Sequence, residues 1–173
     1  MKKLISLFLV MAMTVAFSVT AFAQSDPSLN LGKVLANLNN TSCYSNTNGD
    51  GRFTNPNCTW YCWGRAKEKF GVDLQFTGHA NAYQWFDHVN YDPNIAKVDK
   101  SSAPITDSIA VFSGGSQGYG HVIYIEAVRS DYTYYTEYNF NQSENGKLQR
   151  WPTSDFKHVK GSNFTLEGYI EIR

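Results

Sequence analysis

Four side chains of this 173-residue chain have the types and order needed for nucleophilic hydrolysis of an amide bond. Cys58 comes first, His121 follows much later, and Glu137 and Asn139 come after a further short run. A thiol can serve as the nucleophile, an imidazole can take its proton, and a carboxylate or amide can hold the imidazole in the reactive tautomer. The sequence therefore indicates a cysteine hydrolase.

The residues around Cys58 predict a helix that would activate its thiol. Pro56 and Asn57 are typical of a helix start, residues 59–70 follow as the helix, and Gly71 is the residue type at which helices end. Unpaired N–H groups and the helix dipole favour an anion at that end, and a neighbouring imidazolium would favour the thiolate further. The backbone N–H of Cys58, with one neighbouring donor, is the expected oxyanion site.

The remaining pattern predicts a sheet that would carry the other three side chains. A second helix is predicted over residues 80–89, followed by a loop to residue 102. Helices that precede antiparallel strands predict the α+β class. The predicted strands, rich in β-branched and aromatic residues, span 109–112, 122–128, 132–140 and 169–172.

Strand register decides whether these groups can meet. Glu137 and Asn139 are two residues apart, so their side chains share a face. A hairpin that turns at residues 129–131 with an odd loop would set His121 opposite Asn139 on that face, and a two-residue loop would put His121 on the other face. Glu126 is expected to face away from His121. The spacing leaves open which of Glu137 and Asn139 contacts the imidazole.

The first residues predict an export signal. Lys2 and Lys3 are followed by the apolar run 4–19, and a small-x-small motif ends the segment 1–23. A membrane anchor is the alternative, which the cleavage motif and the lack of a following positive stop disfavour. We therefore expect a secreted protein, extracytoplasmic and associated with the cell wall, that begins near Gln24 and contacts no membrane after signal cleavage.

Size and charge narrow the class further. About 150 residues remain after the signal, the size of one domain. Residues 24–44 form a leader with apolar residues three or four apart, which fits an amphipathic helix and a flexible leader equally.

The chain has 15 Lys and Arg and 15 Asp and Glu, so loss of the signal lysines leaves a net charge of about −2. This balance argues against nucleic-acid binding. We expect a monomer.

Five sequence blocks around these residues resemble the CHAP family, the cysteine, histidine-dependent amidohydrolases/peptidases that cleave bacterial peptidoglycan on a papain-like fold. The blocks occur in order, which makes chance agreement improbable. They are CTWYCWGR at 58–65, GHANAYQW at 78–85, IAVF at 109–112, GHV at 120–122 and EYN at 137–139.

The resemblance implies specific roles. Residues 45–173 would form a CHAP-like catalytic domain with N-terminal helices packed on an antiparallel β-sheet. Cys58 would be the nucleophile, His121 the base, and Glu137 and Asn139 the orienting groups. The protein would act on peptidoglycan as an N-acetylmuramoyl-L-alanine amidase or a peptidoglycan endopeptidase, without a cofactor. Tyr and Trp residues in the blocks are interpreted as packing, and His79, His88 and His158 as surface or helix-end residues.

The chain departs from the family pattern at Cys62, where a small residue is usual. This departure makes Cys62 the natural partner of Cys43 in a disulfide, which would leave Cys58 free. A pairing of Cys43 with Cys58 and three free thiols remain as alternatives.

The run at residues 46–51 resembles the first half of a calcium loop, and some CHAP enzymes bind calcium just before the catalytic cysteine. Asp50 is its single carboxylate, and Asn57 stands where such a loop has glutamate. A plain turn is favoured over a metal site.

Two other functions fit the same sequence. One is a non-catalytic secreted cell-wall-binding protein or antigen, and the other is an antibacterial effector with the same chemistry. A binding protein has no need of Cys58 or His121, so their presence favours the enzyme. Release of amino groups from cell walls by the purified protein would distinguish an enzyme from a binding protein.

Overall fold

The structure is a computed structural model that describes residues 36–78, 81–139 and 142–173. The predicted signal, the leader up to residue 35 and His79 lie outside these residues. Within the described ranges, no helix is long and apolar enough to cross a membrane.

Short helical elements precede a six-stranded sheet. The sheet order is β3-β8-β4-β5-β6-β7, and every pairing in it is antiparallel. This confirms the α+β class, and the papain-like arrangement stays a prediction. The elements are β1 Thr47–Asn48, β2 Phe53–Thr54, α1 Cys58–Phe70, a 3-10 helix Ala82–Gln84, α2 Trp85–His88, β3 Ile95–Asp99, β4 Ser108–Gly114, β5 His121–Val128, β6 Tyr132–Thr136, β7 Gln149–Pro152, a 3-10 helix Thr153–His158 and β8 Phe164–Ile172.

Helix α1 begins and ends as its sequence predicts. Asn57 caps it: its Oδ1 accepts hydrogen bonds from the backbone N–H groups of Thr59 at 2.9 Å and Trp60 at 3.1 Å. Gly71 ends it in the left-handed conformation, φ 70°, and its N–H donates to the carbonyl of Lys67.

The sheet is buried on both faces, which explains why β4 and β5 read as nearly continuous apolar runs. On one face Val111 and Val122 belong to a core that includes the buried apolar residues of α1. On the other face Phe112 and Ile123 belong to a second core that includes Phe156. Because successive strand residues alternate between these cores, a shift of one residue would exchange their contents.

A buried ion pair fixes α1 on the sheet. Arg65 of α1 binds Glu126 of β5 through two hydrogen bonds, Nε to Oε1 at 2.9 Å and Nη2 to Oε2 at 3.0 Å. Their side chains are 2% and 0% exposed. Thr136 of β6 donates to the same carboxylate at 2.7 Å. Glu126 therefore faces the helix, away from His121, as predicted.

The β5–β6 hairpin combines an even loop with a β-bulge. Ser130 and Asp131 are the two loop residues, and the pairing next to them is Val128 with Thr133. The register then shifts between Ile125 and Ala127, where β5 has one extra residue. A two-residue loop alone would have put His121 on the wrong face. The bulge restores the register that the odd loop was expected to give.

Several predicted boundaries were wrong. The segment predicted as loop up to residue 102 contains β3, and β7 was not predicted. Both are edge strands of the sheet, so their sequences carry polar residues and a weak pattern. The second predicted helix is a 3-10 turn followed by the four residues of α2. Strand β6 ends at Thr136, short of residue 140.

Candidate active site

Three of the four predicted site residues meet where α1, β5 and β6 approach one another. Cys58 is the first residue of α1, His121 the first of β5, and Glu137 directly follows β6. His121 Nε2 lies 2.6 Å from Glu137 Oε2. The Cys58 thiol lies near enough to the same imidazole for each group to shift the pKa of the other. Because Nε2 is hydrogen-bonded to Glu137, Nδ1 is the ring nitrogen that can face the thiol.

A close backbone approach places His121 at the site. Gly120 has φ 74°, and a Cβ there would lie 2.4 Å from the carbonyl oxygen of Phe112 and 2.6 Å from the backbone nitrogen of Tyr83. Only glycine fits this position. The close approach brings the start of β5 against the first 3-10 helix. The sequence signal for it was the Gly-His-Val block.

The electrostatics favour a thiolate beside an imidazolium. Burial acts to raise the pKa of Cys58, but the charge and hydrogen bond of His121, with the N–H groups of Val122 and Thr59, hold it below its ordinary value. Burial acts to lower the pKa of His121, and Cys58 and Glu137 together raise it to about 9. The two groups titrate as one coupled pair.

The carboxylate of Glu137 stays ionised although it is buried. Burial acts to raise its pKa, but His121 and Lys160 lower it to about 2. Lys160 Nζ lies 2.7 Å from Oε2, and Gln149 Nε2 donates to Oε1 at 3.3 Å. No sequence signal pointed to Lys160 or Gln149, because both lie outside the five blocks.

Asn139, two residues after Glu137, is held through its backbone. Its backbone N–H donates to Asn145 Oδ1 and its carbonyl accepts from Asn145 Nδ2, each at 2.6 Å. The contact to the imidazole that the sequence left open is made by Glu137. The orienting role of Asn139 stays a prediction.

A cleft of about 240 Å³ opens beside Cys58. The predicted packing residues Trp60, Tyr61, Trp63 and Trp85 are buried and do not line it. Among the described residues of its lining, Arg52 is the charged one. These residues are Arg52, Phe53, Asn57, Cys58, Thr59, Asn81, Ala82, Tyr119 and Gly120.

The segment that resembles a calcium loop forms the β1–β2 hairpin. Asn48 is buried, and its Nδ2 donates to the carbonyl of Trp60 at 2.9 Å, so its amide serves to hold α1. Among the described residues, no group of three or more His, Cys, Asp or Glu side chains is placed to hold a metal ion.

The predicted disulfide between Cys43 and Cys62 is not formed, and all three cysteines of the chain are free. The loop of Cys43 packs on Gly64, where a Cβ would lie 2.7 Å from the Cys43 carbonyl oxygen. Cys62 is two residues from Gly64, about 200° around the helix, so its thiol points away from that loop. Burial raises the pKa of Cys62, and the nearby Cys58 and Glu137 raise it further.

We expect alkylation to distinguish the three thiols. In the native, unreduced protein the label should reach Cys58 alone, because Cys43 and Cys62 are 5% and 0% exposed. After unfolding without reductant, all three should be labelled, as mapped by mass spectrometry of the peptides. Protection of Cys43 and Cys62 in the unfolded chain would show that they form a disulfide.

The comparisons with known proteins give one family and two solved structures of similar fold. The family model for the CHAP domain matches residues 47–139. No curated protein matches the chain. The crystal structure of Ly7917 is similar at a TM-score of 0.51 and 17% identity, over 68% of this chain and 53% of that one. Ly7917 with the hydrolysing product of MDP gives 0.52 and 16%, over 76% and 60%. The chain thus spans little more than half of the Ly7917 chain, and at these identities the likeness concerns the fold.

Proposed function

The chain belongs to the CHAP family, and from that premise we propose that it hydrolyses an amide bond of bacterial peptidoglycan with Cys58 as the nucleophile. The observation that carries the proposal is the order of Cys58, His121 and Glu137 beside an open cleft: His121 is hydrogen-bonded to Glu137 and interacts electrostatically with the Cys58 thiol. Ly7917, a protein of similar fold, has been solved with the hydrolysing product of MDP. The signal predicted over residues 1–23 would place the enzyme outside the cytoplasm, where its substrate is.

In the acylation step the Cys58 thiolate attacks the carbonyl carbon of the amide. The imidazolium of His121 gives its proton to the leaving nitrogen as the C–N bond breaks, and a thioester remains on Cys58. Neutral His121 then takes a proton from water, whose oxygen attacks the thioester, and the Cys58 thiolate leaves, which restores the thiolate–imidazolium pair and frees the carboxylic acid. Glu137 holds the ring through Nε2 during both steps, so that Nδ1 faces the sulfur.

The oxyanion of each tetrahedral intermediate needs donors at the start of α1. The Asn57 side chain accepts from the N–H groups of Thr59 and Trp60, which leaves the N–H of Cys58 for the oxyanion. The helix dipole adds to this stabilisation.

Digestion of cell walls tests the proposal. Protein that begins at Gln24 is incubated with purified walls of several stem-peptide and cross-bridge types, and new amino groups are measured. The control is the same protein with Cys58 blocked by iodoacetamide. Mass spectrometry of the fragments distinguishes an amidase, which frees the L-alanine amino group, from an endopeptidase, which frees an amino group inside the peptide. Lack of release from every wall type, with binding equal before and after blocking, would favour the binding protein instead.

The coupled pair predicts a bell-shaped pH profile for hydrolysis. The rate should begin to rise below pH 8.5, the ordinary pKa of a free thiol, because His121 lowers the pKa of Cys58. It should fall above about pH 9, where His121 loses the proton that the leaving amine needs. Alkylation of Cys58 needs the thiolate alone, so its rate should rise with the same acid limb and not fall above pH 9. An acid limb at pH 8.5 would contradict the thiolate–imidazolium pair.

A further inference from the structure

We propose that Lys160 is a positioning residue of this site: its ammonium group holds the Glu137 carboxylate in place for His121 and balances part of its charge. This inference rests on the proposed function. Lys160 lies beyond residues 47–139, which the family model matches.

The geometry makes Glu137 a bridge between two cations. Its Oε2 is 2.6 Å from His121 Nε2 and 2.7 Å from Lys160 Nζ. The Glu137 side chain is 5% exposed and that of Lys160 15%, so solvent screens these contacts weakly. Gln149 occupies the other oxygen. A buried carboxylate that bridges two cations through one oxygen has little freedom to turn.

The backbone around Lys160 is held in place. The residue lies in the turn between the second 3-10 helix and β8. The N–H of Gly161, at φ 79°, donates to the carbonyl of His158 at 2.8 Å. Phe156, two hydrogen-bonded turns earlier, is 1% exposed in the core on the face of the sheet opposite α1. Lys160 therefore reaches the carboxylate from a hydrogen-bonded turn, and that turn carries none of the reacting groups.

Lys160 sets how strongly Glu137 acts on the imidazole. The other groups near Glu137 are His121 from β5, Cys62 from α1, Tyr135 from β6 and the neutral Gln149 from β7. Burial raises the pKa values of Cys62 and Tyr135, so both are neutral at the working pH. Lys160 is thus the fixed positive charge facing Glu137. Without it the carboxylate would hold the imidazolium more tightly, and the thiolate would lose a favourable charge.

The test compares Lys160→Met with Lys160→Arg. In Lys160→Met we expect kcat for wall hydrolysis to fall about tenfold, because the carboxylate orients the ring less well. The alkaline limb should move up by about one pH unit, because a cation next to the pair is lost. KM should not change, because Lys160 does not line the cleft. Lys160→Arg should restore most of kcat and the wild-type limb.

The matched control is Lys157→Met, at an exposed lysine of the preceding 3-10 helix, which should behave as wild type. Alkylation of Cys58 against pH is the second readout, and it stays valid if peptidoglycan proves not to be the substrate. In Lys160→Met the rate of Cys58 alkylation should begin to rise only at a higher pH. Unchanged alkylation and hydrolysis profiles in Lys160→Met would overturn the proposal.

A double variant covers the case in which Lys160→Met is poorly folded. With Glu137→Gln in place there is no carboxylate charge to balance, so adding Lys160→Met should change the alkylation profile little further. A full additional shift in the double variant would show that Lys160 acts independently of Glu137, and the proposal would be wrong.

Discussion

Replacing Cys58 by alanine is expected to lower the rate of wall hydrolysis by roughly 10⁴-fold or more, while the protein keeps its fold. The thiol is only partly buried, and alanine suits the first turn of a helix that Asn57 and Gly71 already cap. His121→Ala should cost nearly as much. Because the two groups act as one pair, the double variant should be little worse than either single one. Initial rates of amino-group release measure the effect, and circular dichroism checks the fold.

The control for the histidine is His158→Ala. His158 is exposed and pairs with Asp155 at the surface, so its loss should leave the rate unchanged. A rate for His121→Ala within about tenfold of wild type would remove His121 from the proposed mechanism.

Replacing Arg65 by methionine is expected to lower the free energy of unfolding by about 3–5 kcal/mol, as breaking a buried ion pair does. Glu126, whose side chain is 0% exposed, would lose two hydrogen bonds and keep those of Thr136 and Lys69. Urea denaturation gives the value. Arg173→Met is the matched control, because the pair of Arg173 with Glu171 is more exposed and should contribute little to the stability.

A double variant separates the cost of an orphaned charge from the value of the pair itself. Arg65→Met combined with Glu126→Leu removes both charges and should recover much of the lost stability. No recovery would mean that the pair stabilises the fold by its own attraction, or that Thr136 needs the carboxylate.

The parts of the site that the sequence predicted are those governed by local rules. Asn57, Cys58 and Gly71 follow from helix capping, which depends on residues a few positions apart. The choice of Glu137 over Asn139 did not follow, because strand register depends on the whole hairpin. Here the register depends on a bulge at Glu126, and the carboxylate of that residue is bound to a helix 61 positions earlier.

The other differences between the predictions and the structure also arise from tertiary contacts. Lys160 and Gln149 reach Glu137 because β7 and the turn before β8 fold next to it, and no motif marks either residue. The disulfide prediction rested on the departure from the family pattern at Cys62. The sequence does not tell on which side of α1 the loop of Cys43 packs. That side is set by the close contact of the loop with Gly64.

The sheet has a separate core on each face, and the site draws on both. Cys58 packs against the core that holds α1, while the ring of His121 contacts Phe164, which packs against the other core. Thiol and imidazole therefore meet only when both layers are in place. A chain that has docked one layer alone therefore has no paired nucleophile. The proposed hydrolysis requires the complete fold and cannot precede it.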